Sequence, residues 1–92
     1  MNYSARLKEE VRKLLDNESS PAQFVEAFYL FVDEMPDGLS RSLIDLIDNF
    51  NEELAYYQPD NEVRARQSGL YDEKQLRQNV ERLSSRLVSI AD

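Results

Sequence analysis

The sequence contains no cysteine and no histidine, and only two glycines in 92 residues. Each absence closes a branch of chemistry. Without cysteine there is no disulfide, no thiol nucleophile and no zinc–thiolate site. Without histidine the commonest general base and metal ligand is gone, and serine hydrolysis loses its usual proton acceptor. Two isolated glycines, at 38 and 69, do not make a glycine-rich phosphate loop. Long hydrophobic runs are missing as well. The most apolar stretch, Phe24 to Val32, is interrupted by Glu26 and falls far short of the roughly 20 residues of a bilayer span. No basic segment followed by an apolar one marks a secretory signal. The resulting expectation is a cytoplasmic chain that does not enter a membrane, needs no cofactor or metal, and is not an enzyme.

Basic residues are scarce in one region only. Residues 33 to 62 carry nine acids, Asp33, Glu34, Asp37, Asp45, Asp48, Glu52, Glu53, Asp60 and Glu62, against Arg41 alone. That block has a net charge of −8, while the other 62 residues net +1, so the chain's charge of −7 is concentrated in one place. A field of this sign repels nucleic acid and anionic lipid and attracts a basic partner.

Ninety-two residues predict one domain over residues 1–92. A chain of this length buries roughly 60–65% of the surface it exposes when unfolded, so its core is modest. Apolar residues recur at helical spacing, and no segment alternates with the period of a strand. Helix 1 is expected over residues 4–16, capped by Ser4, with Leu7, Val11, Leu14 and Leu15 as its stripe. Helix 2 starts at Ser20-Pro21, a cap followed by a proline that has no N–H to leave unsatisfied. It is the most apolar segment, and the expectation is that it is the most buried helix. Met35-Pro36-Asp37-Gly38 reads as a turn. Helix 3 is expected from Ser40 or Arg41 to about Tyr57, stopped by Pro59. After a connection over 59–71, in which Asp60 could cap a short turn, a last helix follows Asp72, with Gln75 at capping-box spacing and a seam of Leu76, Val80, Leu83, Leu87 and Ile90. The fold class expected is all-α, a four-helix antiparallel bundle.

Helix 3 organises this reading. On a helical wheel, Leu43, Leu46, Ile47, Phe50, Leu54 and Tyr57 share one face. Asp45, Asp48, Glu52 and Tyr56 form a narrow stripe opposite, at steps of three, four and four. Two readings of the stripe compete. It is either a solvated face or a docking surface. Solvated faces usually mix signs, as helices 1 and 4 do, because opposite charges at these spacings support a helix and like charges cost a few tenths of a kcal/mol. Tyr56, bordered by carboxylates, suits an anchor for a basic protein surface, or equally a cover for the 59–71 loop. A metal site on Asp45, Asp48 and Glu52 is disfavoured, since a straight helix does not wrap an ion and no EF-hand loop is present. Paired-carboxylate hydrolysis needs two carboxyls across a cleft, which one convex helix does not provide.

Four segments together resemble the colicin D immunity protein family, which includes immunity proteins of contact-dependent growth-inhibition systems. They are AQFVEAFYLF, LIDNFNEELAYYQPD, NEVR and YDEKQLRQNVERL, and the resemblance spans about residues 22 to 87. It implies a small helical bundle that binds the nuclease domain of a bacterial toxin, typically a tRNA-cleaving one, and covers its basic active site with negative charge. The family's Pro-Asp motif falls on Pro59 and Asp60, with Glu53 to Tyr57 leading into it. The chain departs from the pattern at Gln58, where the family has an acid, and Arg64 and Arg66 dilute the charge beyond the motif. The expected toxin-binding set is Asp45, Asp48, Glu52, Glu53, Tyr56, Asp60 and Glu62. The expected partner is a cognate basic nuclease toxin domain, bound 1:1 by a chain that is monomeric when free and does not itself bind nucleic acid. The rivals are a small acidic adaptor or homodimer that uses its apolar faces, and a nucleic-acid mimic that inhibits a basic regulator unconnected with toxins.

Overall fold

Each helix of this chain begins at a residue whose side chain takes up an orphan backbone N–H. The computed structural model describes residues 2–90. Its helices are α1 (Tyr3–Leu15), α2 (Pro21–Asp33), α3 (Arg41–Leu54), α4 (Asn61–Arg66) and α5 (Glu73–Ser89). The caps are Asn2, Ser20, Ser40, Asp60 and Asp72. Three of the expected starts hold as read, and α1 is a correction. Asn2 accepts from the Ala5 N–H at 2.7 Å, so the cap lies two residues before the expected one and Ser4 is buried inside the helix. The reciprocal capping box sits at α2, where Ser20 and Gln23 each bond the other's backbone N–H. At α5 Asp72 accepts from the Gln75 N–H, and the Gln75 side-chain N–H donates to Asn79.

The described residues are all-α, with five helices where four were expected: the turn after Asp60 is a helix of its own. The four longer helices pack in a closed series, α1 on α2, α2 on α3, α3 on α5 and α5 on α1. Between them lie Leu7, Val11 and Leu14 of α1, Phe24, Phe28 and Phe31 of α2, the apolar face of α3, and Leu76, Val80, Leu83 and Leu87 of α5. Phe50 of α3 meets Phe28 at 5.0 Å and Phe24 at 6.2 Å between ring centroids, both edge-on, the arrangement aromatic quadrupoles prefer. α4 contributes no buried residue and lies outside these packed pairs.

Two expectations about the helices are overturned. α2 is the most apolar helix but not the most buried. Only Phe24, Phe28 and Phe31 are fully enclosed, against five residues of α3, and Tyr29 and Leu30 are exposed. A helix with apolar residues on most of its circumference can turn only part of itself to a core this small. α3 ends at Leu54 and not near Tyr57. The Tyr56 and Tyr57 N–H groups bond carbonyls three residues back, tightening the last turn. The backbone then pairs with residue 71: Gln58 N–H donates to Tyr71 O and Tyr71 N–H donates to Tyr56 O, both at 2.9 Å. This long-range pairing ends the helix before Pro59 has any say. The rings of Tyr57 and Tyr71 pack together over it, 6.0 Å apart. Residues 58–70, with α4, therefore form an arm closed at its neck.

Candidate docking surface

The expected site residues divide by what positions them. Asp45, Asp48, Glu52 and Glu53 belong to α3, whose opposite face is locked in the core by Leu43, Leu46, Ile47, Phe50 and Leu54. Burying that stripe fixes the rotation of the helix and so aims the acids at solvent. All four are exposed. Asp45 pairs with Arg41 one turn back, Nε to Oδ1 3.2 Å, at the surface where such a pair is worth little. Asp48, Glu52 and Glu53 form no ion pair among the described residues. Among the described residues no three acidic side chains converge on a point that could hold a metal.

Tyr56 lies past the end of α3, not on its stripe. It is 56% exposed and borders a trough with Asn49, Glu52, Glu53 and Arg86. The ring that covers the 59–71 connection is that of Tyr57, through its contact with Tyr71. Asp60 and Glu62 are carried by the arm. The Asp60 carboxylate accepts from the N–H groups of Glu62 at 2.8 Å and Val63 at 3.3 Å, so one of its oxygens is committed to the cap. Glu62 reaches Arg66 at 4.0 Å with both side chains largely exposed. Arg64, which the sequence placed as a diluting charge, is turned inward: its guanidinium donates to the Gln58 carbonyl and to Asn61, tying the neck to the helix.

The structure adds a second wall that the sequence did not indicate. α5 runs beside the acid-bearing edge of α3, and a trough follows the seam between them. One stretch, of about 480 Å³, lies between Ser42, Asp45 and Asn49 on α3 and Ser85, Arg86 and Ser89 on α5. A second, of about 640 Å³, lies between Asn49, Glu52, Tyr56 and Arg86. Arg86 is common to both. It is exposed and forms no ion pair among the described residues. The other arginines of α5 are engaged: Arg77 with Glu73 and with the Leu14 carbonyl at the end of α1, Arg82 with the buried Asn79. The wheel of α5 could show Arg86 off the seam but not which helix it would stand beside.

On α1 the Arg12 guanidinium bonds Glu9, Asp16 and Glu18, and its hydrogen bonds hold the Glu9 and Glu18 carboxyls below their ordinary range. Burial pushes the hydroxyls of Tyr3, Tyr57 and Tyr71 upward. No helix among the described residues is long and apolar enough to cross a membrane. Comparison with known proteins finds no match among family models, curated proteins or solved structures.

Proposed function

We propose that this chain is an immunity protein that binds the nuclease domain of a bacterial toxin and covers its basic active site. The observation that carries the reading is the α3 face: Asp48, Glu52 and Glu53 project from one helix, exposed and in no ion pair among the described residues, inside a block of net −8. A nuclease that handles RNA presents lysines and arginines to phosphates. Carboxylates held at fixed spacing answer those groups with charge-assisted hydrogen bonds, bidentate where the donor is arginine. Opposed fields also speed the encounter, which matters when a toxin must be caught before it acts. Tyr56 beside the acids supplies contact area of the kind that anchors interfaces. The family resemblance in the sequence gives the partner its class, a tRNA-cleaving ribonuclease bound 1:1 in the cytoplasm, and the four longer helices its architecture, an antiparallel bundle in a single domain with α4 as an addition. In this role no residue of the chain is catalytic and no cofactor is needed.

The test is co-expression of the chain with the toxin domain encoded beside its gene, scoring survival and complex formation. Rescue and a 1:1 complex are expected. A toxin domain that kills equally with and without the chain would remove the proposal.

A second reading has one observation in its favour. Tyr29 and Leu30 are exposed together on α2, 43% and 53% respectively, which suits self-association through an apolar face. Sedimentation across a concentration series separates the two: the immunity reading expects a monomer when free, and the dimer reading a mass that rises with concentration and hardly responds to salt.

A further inference from the structure

If the docking face worked only as an acidic field, Arg86 would be a defect in it. It places a positive charge, unpaired among the described residues, in the same trough as Asp45, Glu52, Glu53 and Tyr56. The last turn of α5 favours a cation through the helix dipole, but any face of that turn would serve, so the fold does not by itself call for a charge in the trough. The Arg86 side chain is exposed, makes no hydrogen bond or ion pair among the described residues, and lies off the buried seam of α5. Arg82, one turn earlier, differs in that its guanidinium donates to the buried Asn79. Short side chains, Ser42, Ser85 and Ser89, stand beside Arg86 in the trough together with Leu46 and Ile90, which leaves room for a partner side chain to approach the guanidinium.

We propose that Arg86 receives a carboxylate from the partner, and that the trough between α3 and α5 is the register-setting part of the interface. The occupant is a protein segment that presents one acidic side chain flanked by basic ones. The basic side chains meet Asp45 on one side and Glu52 and Glu53 on the other, and the acid takes the planar fork of Arg86, which matches carboxylate geometry in a way a point charge does not. Tyr56 closes one end of the trough, and tyrosine and arginine are the residue types that most often dominate binding energy. A mixed pattern of this kind also rejects wrong partners. A uniformly basic surface, the kind the acids alone would attract, sets a lysine or arginine against Arg86 and meets repulsion at the centre of the contact. The acids would thus supply speed and Arg86 selectivity.

This inference rests on the immunity reading and is tested with the full-length chain and the toxin domain encoded beside its gene. Association and dissociation rates are measured for the wild type, R86E and R86K, with circular dichroism melts as a control for folding. Arg86 makes no hydrogen bond or ion pair among the described residues that holds the fold, but it stands in the last turn of α5, so R86K should melt with the wild type and R86E a few degrees lower, and rates are compared where every variant is folded. The expected result is that R86E dissociates faster by about tenfold or more, since loss of one partner of an interfacial charge pair acts on the off-rate. R86K should fall between R86E and the wild type, having kept the charge and lost the fork. A purely acidic field gives the opposite sign: R86E makes the face more negative, so it should associate faster and bind tighter. Tighter or unchanged binding by R86E overturns the inference and leaves the immunity reading standing. Failure of the wild-type chain to bind the toxin domain overturns both. Should R86E prove unfolded, R86K and R86Q carry the same comparison, with weaker binding supporting the inference and unchanged binding refuting it.

Discussion

Asp60 and Asp72 do the same chemistry in different surroundings, and replacing each by alanine should separate a local loss from a global one. Both are exposed aspartates that accept a backbone N–H at the start of a helix, at 2.8 Å for Asp60 and 3.0 Å for Asp72. Loss of such a cap costs about 1 kcal/mol. Asp72 begins α5, which has five buried residues and packs on α1 and α3, so α5 does not open without the core. The whole cost of Asp72→Ala should therefore appear in global unfolding, as a drop of about 4–8 °C in melting temperature for a domain of this size. Asp60 begins α4, which has six residues and buries none. Isolated helices shorter than about 12 residues are marginal, so the closed and open forms of the arm lie near balance. Taking them as equally populated, raising the closed form by 1 kcal/mol costs the native ensemble only about 0.3 kcal/mol, or roughly 1–3 °C, because the open form already carries half the population. What should change is local. The N–H groups of Arg64 and Gln67, bonded to the Asp60 and Val63 carbonyls, should exchange roughly 1.7 times faster in Asp60→Ala, as the open form rises from half to about five-sixths of the population, while those of α5 stay protected. If Asp60→Ala lowered the melting temperature as much as Asp72→Ala, the arm would be part of the cooperative core and the argument would fail.

Four further outcomes follow from the same structure. Charge reversal at Asp48 and Glu52 should slow association with the toxin domain by about ten- to a hundredfold and flatten its salt dependence, without moving the melt, because both side chains are exposed and unpaired; stopped-flow rates across a salt series check this, and normal rates would mean the docking face lies elsewhere. Phe28→Leu and Phe50→Leu should be coupled by about 0.5–1.5 kcal/mol in a double-mutant cycle read by urea unfolding, since the two rings meet edge-on at 5.0 Å; additive effects would show that only burial matters there. The Glu9 and Glu18 carboxyls are held below their ordinary 4.5, mainly by hydrogen bonds from Arg12, so their contribution is present above that pH and is lost as pH falls through the lowered values; Arg12→Gln should flatten the acid limb of the stability curve. Tyr3 has the opposite sign: burial raises its hydroxyl above 10.0, so stability is intact below pH 10 and falls as pH climbs past it, an alkaline loss that Tyr3→Phe should reduce.

The charge block 33–62 is a property of composition and needs no structure to be seen. Cap residues and apolar spacing were equally plain: Ser20-Pro21, Ser40 and Asp72 start helices where local chemistry says they should, and the five buried residues of α3 are those its wheel put on one face. These signals are legible because a cap or an amphipathic stripe is decided within a turn or two of chain. Where a distant segment competes, local reading fails. The end of α3 was misplaced because the carbonyl and N–H at its last turn are claimed by Tyr71, which no local pattern announces. Tyr56 lies past the end of α3 yet still borders Glu52 and Glu53, while the ring that covers the loop is that of Tyr57. α2 was over-assigned to the core because hydrophobicity says how much a helix would bury, while the number of neighbours says how much it can. Sequence alone thus determined the class of fold, the acids and the helix that carries them. Only the tertiary structure decided that Arg86 stands beside those acids. Rotation and adjacency of helices are set by how the whole core closes, and that is a sum over residues far apart in the chain.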